Sequence, residues 1–407
     1  MNVTVLMISP GYPAEMPFFT RGLARAGAQV IGAGDQSVSA LPNMARDHLA
    51  AYWQVPSFAD EDAIVLEVAR RSSGLHIDHV ASLWEPTMVL AARIRETLGI
   101  PGMTVEQTIP FRDKERMKQV LDAAGIRTPH HYRCTTAVAV RGAAERIGFP
   151  IIVKPIAGAG SADTYRVDSP TELESVLPKL VWVDEVSVEE FVEATEYTYD
   201  TICSRGEVLF DNVAWYRPRP LIARQLEWIS PVTMVMRDID APELSSGRAM
   251  GRDVLRALQF RDGFTHMEWY RRDNGEVVFG EIGARPPGAR TVDVMNFAND
   301  IDLFQQWAEA LIHGRLSEPI DRRYNAASIF KRAQGQGRIT HVDGLSRLLS
   351  DYDEWVCAID LVPIGAPRRD WLMTLISDGM VIVRHPMLES CIEIADRFAT
   401  ELQLYAY

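Results

Sequence analysis

Residues Phe264 to Arg290 read FTHMEWYRRDNGEVVFGEIGARPPGAR, two runs of strand formers joined by Asp273-Asn274-Gly275. Asn and Gly tolerate the positive φ of a type I′ turn, so the stretch predicts a hairpin. With Asn274 and Gly275 as the loop residues, Glu268 falls directly opposite Glu281. On that register Met267, Trp269, Val278 and Ile282 share an apolar face expected in the core. His266 and Tyr270 join the two glutamates on the other face. Opposed side chains lie about 5 Å apart at Cβ, and like charges there are destabilising. Two carboxylates so placed invite a cation, and all-oxygen ligands suit Mg²⁺, which takes one or two carboxylates plus substrate phosphates. Two solvated glutamates on an edge hairpin are the plainer alternative. Arg285, just beyond Glu281 and followed by Pro-Pro-Gly, favours the metal. A permanently charged fork beside a metal is what an anionic transition state needs.

A second set of chemistry-bearing residues lies upstream. Lys154 sits in the apolar run Ile151 to Ile156, where an unpaired charge is costly. The loop Ala157-Gly158-Ala159-Gly160-Ser161 follows. Its bare backbone N–H groups can approach phosphate oxygens, although no Gly-Lys-Ser/Thr follows to make it a Walker A loop. A plain hairpin turn is its commoner explanation. Lys114 stands in the first turn of the helix that DKERMKQVLDAAGIRTP predicts, a position usually given to solvent. Glu189, Glu190 and Glu196 fall in SVEEFVEATEYTYD, a strand followed by a turn. Trp215, Tyr216, Arg217, His266 and Arg290 are candidates for lining a substrate pocket, and Arg332 and Arg338 for capping it; ordinary packing is at least as common a role for each.

The elements that must position these groups follow from periodicity. Val3 to Ile8, Ala28 to Gly32 and His79 to Leu83 read as buried strands. They alternate with helices over Phe18 to Ala26, Asp60 to Arg71 and Pro86 to Leu98, which implies βαβ units and a parallel sheet. Gly32-Ala33-Gly34 lacks a third glycine and a following helix, so it is not read as a dinucleotide site. Ser169-Pro170-Thr171-Glu172 predicts a capping box opening helix 170–180. Strands Tyr197–Cys203 and Glu207–Ala214 form a hairpin, and helices 241–258 and 300–313 flank the glutamate hairpin. Beyond Leu316, strands are expected at Asn325 to Lys331, Trp355 to Leu361, Trp371 to Ser377 and Met380 to Arg384, with a closing helix from Glu389 to Gln403.

Composition narrows the partners. The chain has 407 residues, enough for two or three domains, and a net charge of −13. That balance argues against nucleic acid or an anionic membrane. Four scattered cysteines without metal or redox spacing suggest a reducing compartment. The start MNVTVLMISPGYP has neither a basic leader nor a membrane-length apolar run, so a soluble cytoplasmic protein is expected.

In this order, the lysines, glycine loop, EEFV string and glutamate hairpin resemble the ATP-grasp superfamily, especially its carboxylate–amine ligase (including L-amino-acid ligase) and biotin-carboxylase-like branches. The resemblance covers nearly the whole chain and is strongest from Lys114 to Arg285. It implies an α/β and α+β architecture: an N-terminal αβα domain over 1–112, a two-lobed ATP-grasp domain over 113–315 with its small lobe at about 128–205, and a C-terminal α+β lid region over 316–407. It assigns Lys114 and Lys154 to ATP phosphates, and Gly158, Gly160 and Ser161 to the glycine-rich lid. Glu189 to Val192 becomes the adenine hinge, with Glu190 and Val192 offering backbone groups, and Glu196 the ribose acid. Glu268 and Glu281 become the Mg²⁺ carboxylates, with Mn²⁺ as the substitute ion. Arg285 becomes the arginine that steadies the acyl-phosphate and the tetrahedral species formed from it. One departure stands out: many relatives carry asparagine where this chain has Gly283.

The implied activity is an ATP-dependent, ADP-forming ligase joining a small-molecule carboxylate to an amine. Two alternatives stay open: transfer of a formyl- or carboxy-phosphate to a small acceptor, and an ATP-binding regulatory protein without turnover, which Gly283 alone favours. The resemblance is compatible with a homodimer.

Overall fold

The computed structural model describes residues 3–156, 163–374 and 376–407. The glycine-rich loop from Ala157 to Ser161 therefore lies outside the described residues.

The N-terminal region is a parallel four-stranded sheet in the order Ala51–Gln54, Gln29–Gly34, Thr4–Ile8, His79–Ala81. Val5 to Ile8 are fully buried, as expected of a strand covered on both faces. Helices Met16–Arg25, Glu61–Arg71 and Met88–Leu98 cover it. Asp60 caps the second through Ala63 N at 3.0 Å, and Gly99, at φ +66°, closes the third.

Helix Lys114–Ala123 leads out of this region, with the Asp113 carboxylate accepting from Glu115 N and Arg116 N. A smaller antiparallel sheet follows in the order His131–Cys134, Val186–Glu190, Ile151–Pro155, Tyr165–Val167. Helices Ala137–Ile147 and Pro170–Val176 back it. The capping box expected at Ser169 is half present: Ser169 Oγ accepts from Glu172 N at 3.2 Å, but the Glu172 carboxylate reaches Asp168 N at 2.8 Å instead.

The largest unit is an antiparallel eight-stranded sheet. Its order is Val277–Gly283, Gly263–Arg271, Thr195–Ser204, Glu207–Arg217, Val232–Val235, Asn325–Phe330, Gly379–His385, Val356–Leu361. Three strands from beyond Leu316 thus extend the sheet that carries the glutamate hairpin. Helix Pro242–Ala257 crosses one face so closely that glycine is required. A Cβ at Gly247 would lie 2.2 Å from the Trp269 ring, and one at Gly251 2.3 Å from Tyr199. Among the described residues of Trp371 to Ser377 the expected strand is not found; they are mostly in turns. The run is apolar, but the neighbouring strand at the sheet edge is Val356–Leu361, and Trp371 instead lies under the Arg332 guanidinium at 4.3 Å.

Among the described residues no helix is long and apolar enough to cross a membrane.

Candidate active site

The glutamate hairpin has the expected pairing at its working end and a different turn. Gly275 N donates to Arg272 O at 2.9 Å, Arg272 N to Glu276 O at 2.9 Å, and Gly275 carries φ +86°. Asp273, Asn274 and Gly275 are all loop residues, so the two-residue type I′ turn is replaced by a longer one. This shifts the near register by one: Trp269 pairs with Phe279, Tyr270 with Val278 and Arg271 with Val277. A bulge at Gly280 then restores it, and Met267 pairs with Ile282 and Glu268 with Glu281. Glycine is needed in the bulge, because a Cβ at Gly280 would lie 2.8 Å from the Glu268 carbonyl oxygen. The core face is corrected accordingly. Phe279 packs with Met267, Trp269 and Ile282, whereas Val278 lies opposite Tyr270 on the glutamate face.

Strand alternation assembles the rest of that face. Thr198 pairs with Glu268, Asp200 with His266 and Glu196 with Tyr270. Four carboxylates, Glu196, Asp200, Glu268 and Glu281, therefore share one sheet surface. His266 Nδ1 lies 2.6 Å from Asp200 Oδ1, and its Nε2 lies 3.7 Å from Glu268 Oε1. Thr198 Oγ1 and Asn212 Nδ2 donate to the other Asp200 oxygen at 2.8 and 3.1 Å. Burial alone would lower the His266 pKa, but the Asp200 carboxylate outweighs it and lifts it to about 9. Glu196 moves the opposite way for an acid: burial and the nearby Glu268 charge raise it to about 7, against the pull of Arg219. Tyr216 belongs to this face, its hydroxyl held well above its usual range by burial and by Glu268, Asp200 and Glu196.

Basic groups reach this surface from other elements. Lys114 Nζ donates to Glu281 Oε1 at 2.8 Å from its largely buried position at the start of its helix. Opposition by burial is overcome there by Lys114 and Lys154, which hold Glu281 below the usual carboxylate range. Arg285 Nε donates to Glu85 Oε2 at 2.8 Å, and Glu85 also binds Arg112. Arg219 Nε donates to Glu196 Oε2 at 3.0 Å.

The smaller sheet and the helix Lys114–Ala123 together contribute an ammonium pair. Glu189 Oε1 accepts from Lys118 Nζ at 2.6 Å, and Glu189 Oε2 lies 2.9 Å from Lys154 Nζ. Burial would raise the carboxyl pKa, yet the two lysines hold it well below the usual range. Lys118 is lowered by burial and by Lys154; Lys154 is raised, because Glu189, Glu281 and Glu268 outweigh its burial. Ser187 Oγ adds a bond to Glu189 Oε1 at 2.9 Å, and binds Glu115, whose other oxygen lies 2.7 Å from His131 Nδ1.

The hinge residues divide their roles. The Glu190 carboxylate pairs with Arg127 and Arg272, and its N–H donates to the His130 carbonyl at 2.8 Å, so that N–H is already engaged. The Val192 carbonyl accepts from Arg219 Nη1 at 2.8 Å. Five of the pocket and capping candidates engage other partners. Arg217 and Trp215 point to the opposite side of the strand from Tyr216, with Arg217 forked onto Asp396 at 2.9 and 3.1 Å. Arg332 binds the carbonyls of Ala223 and Leu226, and Arg338 that of Gly365. Arg290 turns its fork to Asp293 at 2.5 Å and Asp360 at 3.6 Å, while its N–H donates to Glu15 at 3.2 Å.

Lys118, Asp200, Arg219 and Glu85 were not anticipated. The first two carried a signal: Lys118 lies one turn beyond Lys114 on the buried helix face, and Asp200 shares Glu196's strand face. Arg219 and Glu85 carried none, since each depends on contacts between distant segments.

Among the described residues no cluster of three His, Cys, Asp or Glu side chains could hold a metal. Two opposed carboxylates, with phosphates and water completing the shell, fit Mg²⁺ better than an all-protein cage would.

No family model matches the chain. Over 292 residues it is 25% identical to an L-arginine-specific L-amino acid ligase of Bacillus subtilis, spanning 70% of this chain and 69% of that one. The crystal structure of an L-amino acid ligase from Bacillus licheniformis superposes with a TM-score of 0.80 at 21% identity, over 100% of this chain and 99% of the other. N5-carboxyaminoimidazole synthetase from Staphylococcus aureus, complexed with ADP, gives a TM-score of 0.69 at 15% identity over 98% and 97%.

Proposed function

The chain is an ATP-grasp protein related to the carboxylate–amine ligases, and from that premise we propose that it joins an amino acid, through its carboxylate, to an amine. The observation that carries the reading is the opposed pair Glu268 and Glu281, with Lys114 on Glu281 and Arg285 a short distance along the chain. Glu268 and Glu281 would hold Mg²⁺, whose charge would neutralise ATP oxygens when bound. Lys114 and Lys154 would bind phosphates; the lid loop, the Val192 N–H and Glu196 would take the remaining nucleotide contacts assigned above.

The substrate carboxylate attacks the γ-phosphorus of ATP and the bond to the β,γ-bridging oxygen breaks, releasing ADP and leaving an acyl-phosphate. That step needs positioning and charge neutralisation rather than covalent help from the protein. The amine then attacks the acyl carbon, phosphate leaves and a proton is lost from nitrogen. Arg285, fixed by Glu85, would face the negative charge that develops on the acyl oxygen.

Gly283 admits a second reading, a nucleotide-binding protein without turnover. A Cβ there would lie 3.3 Å from Arg285 Cγ, so the arginine packs over the space that an asparagine would use. The test is nucleotide product analysis during a screen of amino acids, alone and in pairs. ADP formation that needs the carboxylate and accelerates with the amine is expected. AMP as main product would overturn the mechanism, and ADP formed equally fast without either substrate would leave a plain ATPase.

A further inference from the structure

We propose that Arg219 is the positioning residue that makes the nucleotide site select ribose over 2′-deoxyribose, by fixing Glu196 as a hydroxyl acceptor. The inference rests on reading Glu196 as the ribose acid and goes beyond it, because Arg219 belongs to a separate segment.

Glu196 is 4% exposed and shares its sheet face with three other carboxylates. An ionised carboxylate is a pure acceptor, with two oxygens to which sugar hydroxyls can donate. Arg219 supplies the opposing charge through a single directed bond, Nε to Glu196 Oε2 at 3.0 Å. Its Nη1 meanwhile donates to the Val192 carbonyl at 2.8 Å. One planar fork thus ties the acid to the hinge strand and fixes their separation.

The fork is itself held. Its centre lies 5.0 Å from the Phe191 ring and 4.9 Å from the Tyr270 ring. Lysine can supply the charge there but not the rigid bridge or the stacking. The far end of the same segment is anchored too: Arg332 Nη1 donates to the Ala223 and Leu226 carbonyls at 2.8 and 2.6 Å and stacks on Trp371. Residues 219–226 form a strap between the Glu196 carboxylate and the C-terminal region.

The experiment measures the affinity of the full chain for Mg·ATP and Mg·2′-deoxy-ATP by titration calorimetry at one pH. The variants are Arg219→Gln, Arg219→Lys, Arg332→Ala and Glu196→Gln. A hydroxyl bonded to a charged acceptor should favour ATP by about tenfold or more. Arg219→Gln should bring the ratio close to one, and Arg219→Lys should recover only part of it. Arg332→Ala, which leaves the Arg219 contacts in place, should lower the ratio by about twofold and serves if Arg219→Gln does not fold. Equal weakening of both nucleotides by Arg219→Gln, or an unchanged ratio in both Arg219→Lys and Arg332→Ala, would overturn the proposal and leave Arg219 a structural brace. If wild type binds ATP without preferring it, or Glu196→Gln leaves the preference intact, the ribose reading of Glu196 has failed instead, and the proposal fails with it.

Discussion

The two walls that meet at Lys114 solve opposite electrostatic problems. Beside the smaller sheet two buried ammoniums, Lys118 from the helix Lys114–Ala123 and Lys154 from the sheet, surround one carboxylate, Glu189. The large sheet gathers four carboxylates on one surface and draws its countercharges from elsewhere, with His266 the basic residue of its own face. The first cluster presents ammonium groups and the second presents carboxylates. A ligand that carries phosphates on one side and a divalent cation on the other would satisfy both at once.

The largest expected effect tests the acidic wall. Arg285→Ala should lower turnover on the order of 10²–10³-fold, as loss of one preorganised donor does, with thermal unfolding little changed. Near-normal turnover would mean that the charge developing in the reaction lies elsewhere.

The next variant tests the basic wall through stability. Glu189→Gln removes the shared anion and leaves Lys118, at 1% exposure, beside Lys154 without its directly bonded carboxylate. Breaking a buried pair in this way should cost about 3 kcal/mol in urea denaturation. Glu281→Gln, on a side chain with 32% exposure whose amide can still accept from Lys114, should cost less stability than Glu189→Gln while turnover collapses. Similar stability losses in the two variants would erase the distinction between the walls.

The third sharpens the contrast through pH. His266 is protonated in the folded state up to about pH 9 and in the unfolded state to about 6.5. Its pairing with Asp200 therefore stabilises fully below the lower value and is lost as pH rises through the upper one. Stability should fall by about 3 kcal/mol across that window, and Asp200→Asn should flatten the fall. A flat wild-type profile would show that the pair contributes no net stability.

The smallest effect concerns geometry. Gly280→Ala places a methyl against the Glu268 carbonyl and should cost about 1–2 kcal/mol while raising the Mg²⁺ needed for half-maximal activity a few-fold. No change in either would mean that the bulge can relax without moving Glu268.

Much of this arrangement was legible in the sequence because it is local. Alternation placed Glu268, His266 and Tyr270 on one face, and an apolar run made Lys154 conspicuous. What escaped was short or distant. Strands Ala51–Gln54, His131–Cys134 and Val232–Val235 are four residues each, too brief for a period to emerge. Arg285 meets Glu85 across 200 residues, a pairing that no window can reveal. The run at Trp371 misled because hydrophobicity predicts burial or stacking as readily as a strand; only a free neighbouring edge could have decided it.

The hairpin that holds the two glutamates also constrains how this chain can change length. Its longer turn and the Gly280 bulge each reverse the parity of the strand, and together they cancel. Deleting Asn274 alone would send either Glu268 or Glu281 toward the apolar side occupied by Trp269 and Phe279. Deleting Gly280 alone would do the same from the other end. Removing both would leave the carboxylates facing each other across an unbulged ladder. Indels in this hairpin should therefore be tolerated only in pairs, a rule of even steps that a residue-by-residue substitution scan cannot detect and a two-site deletion library would.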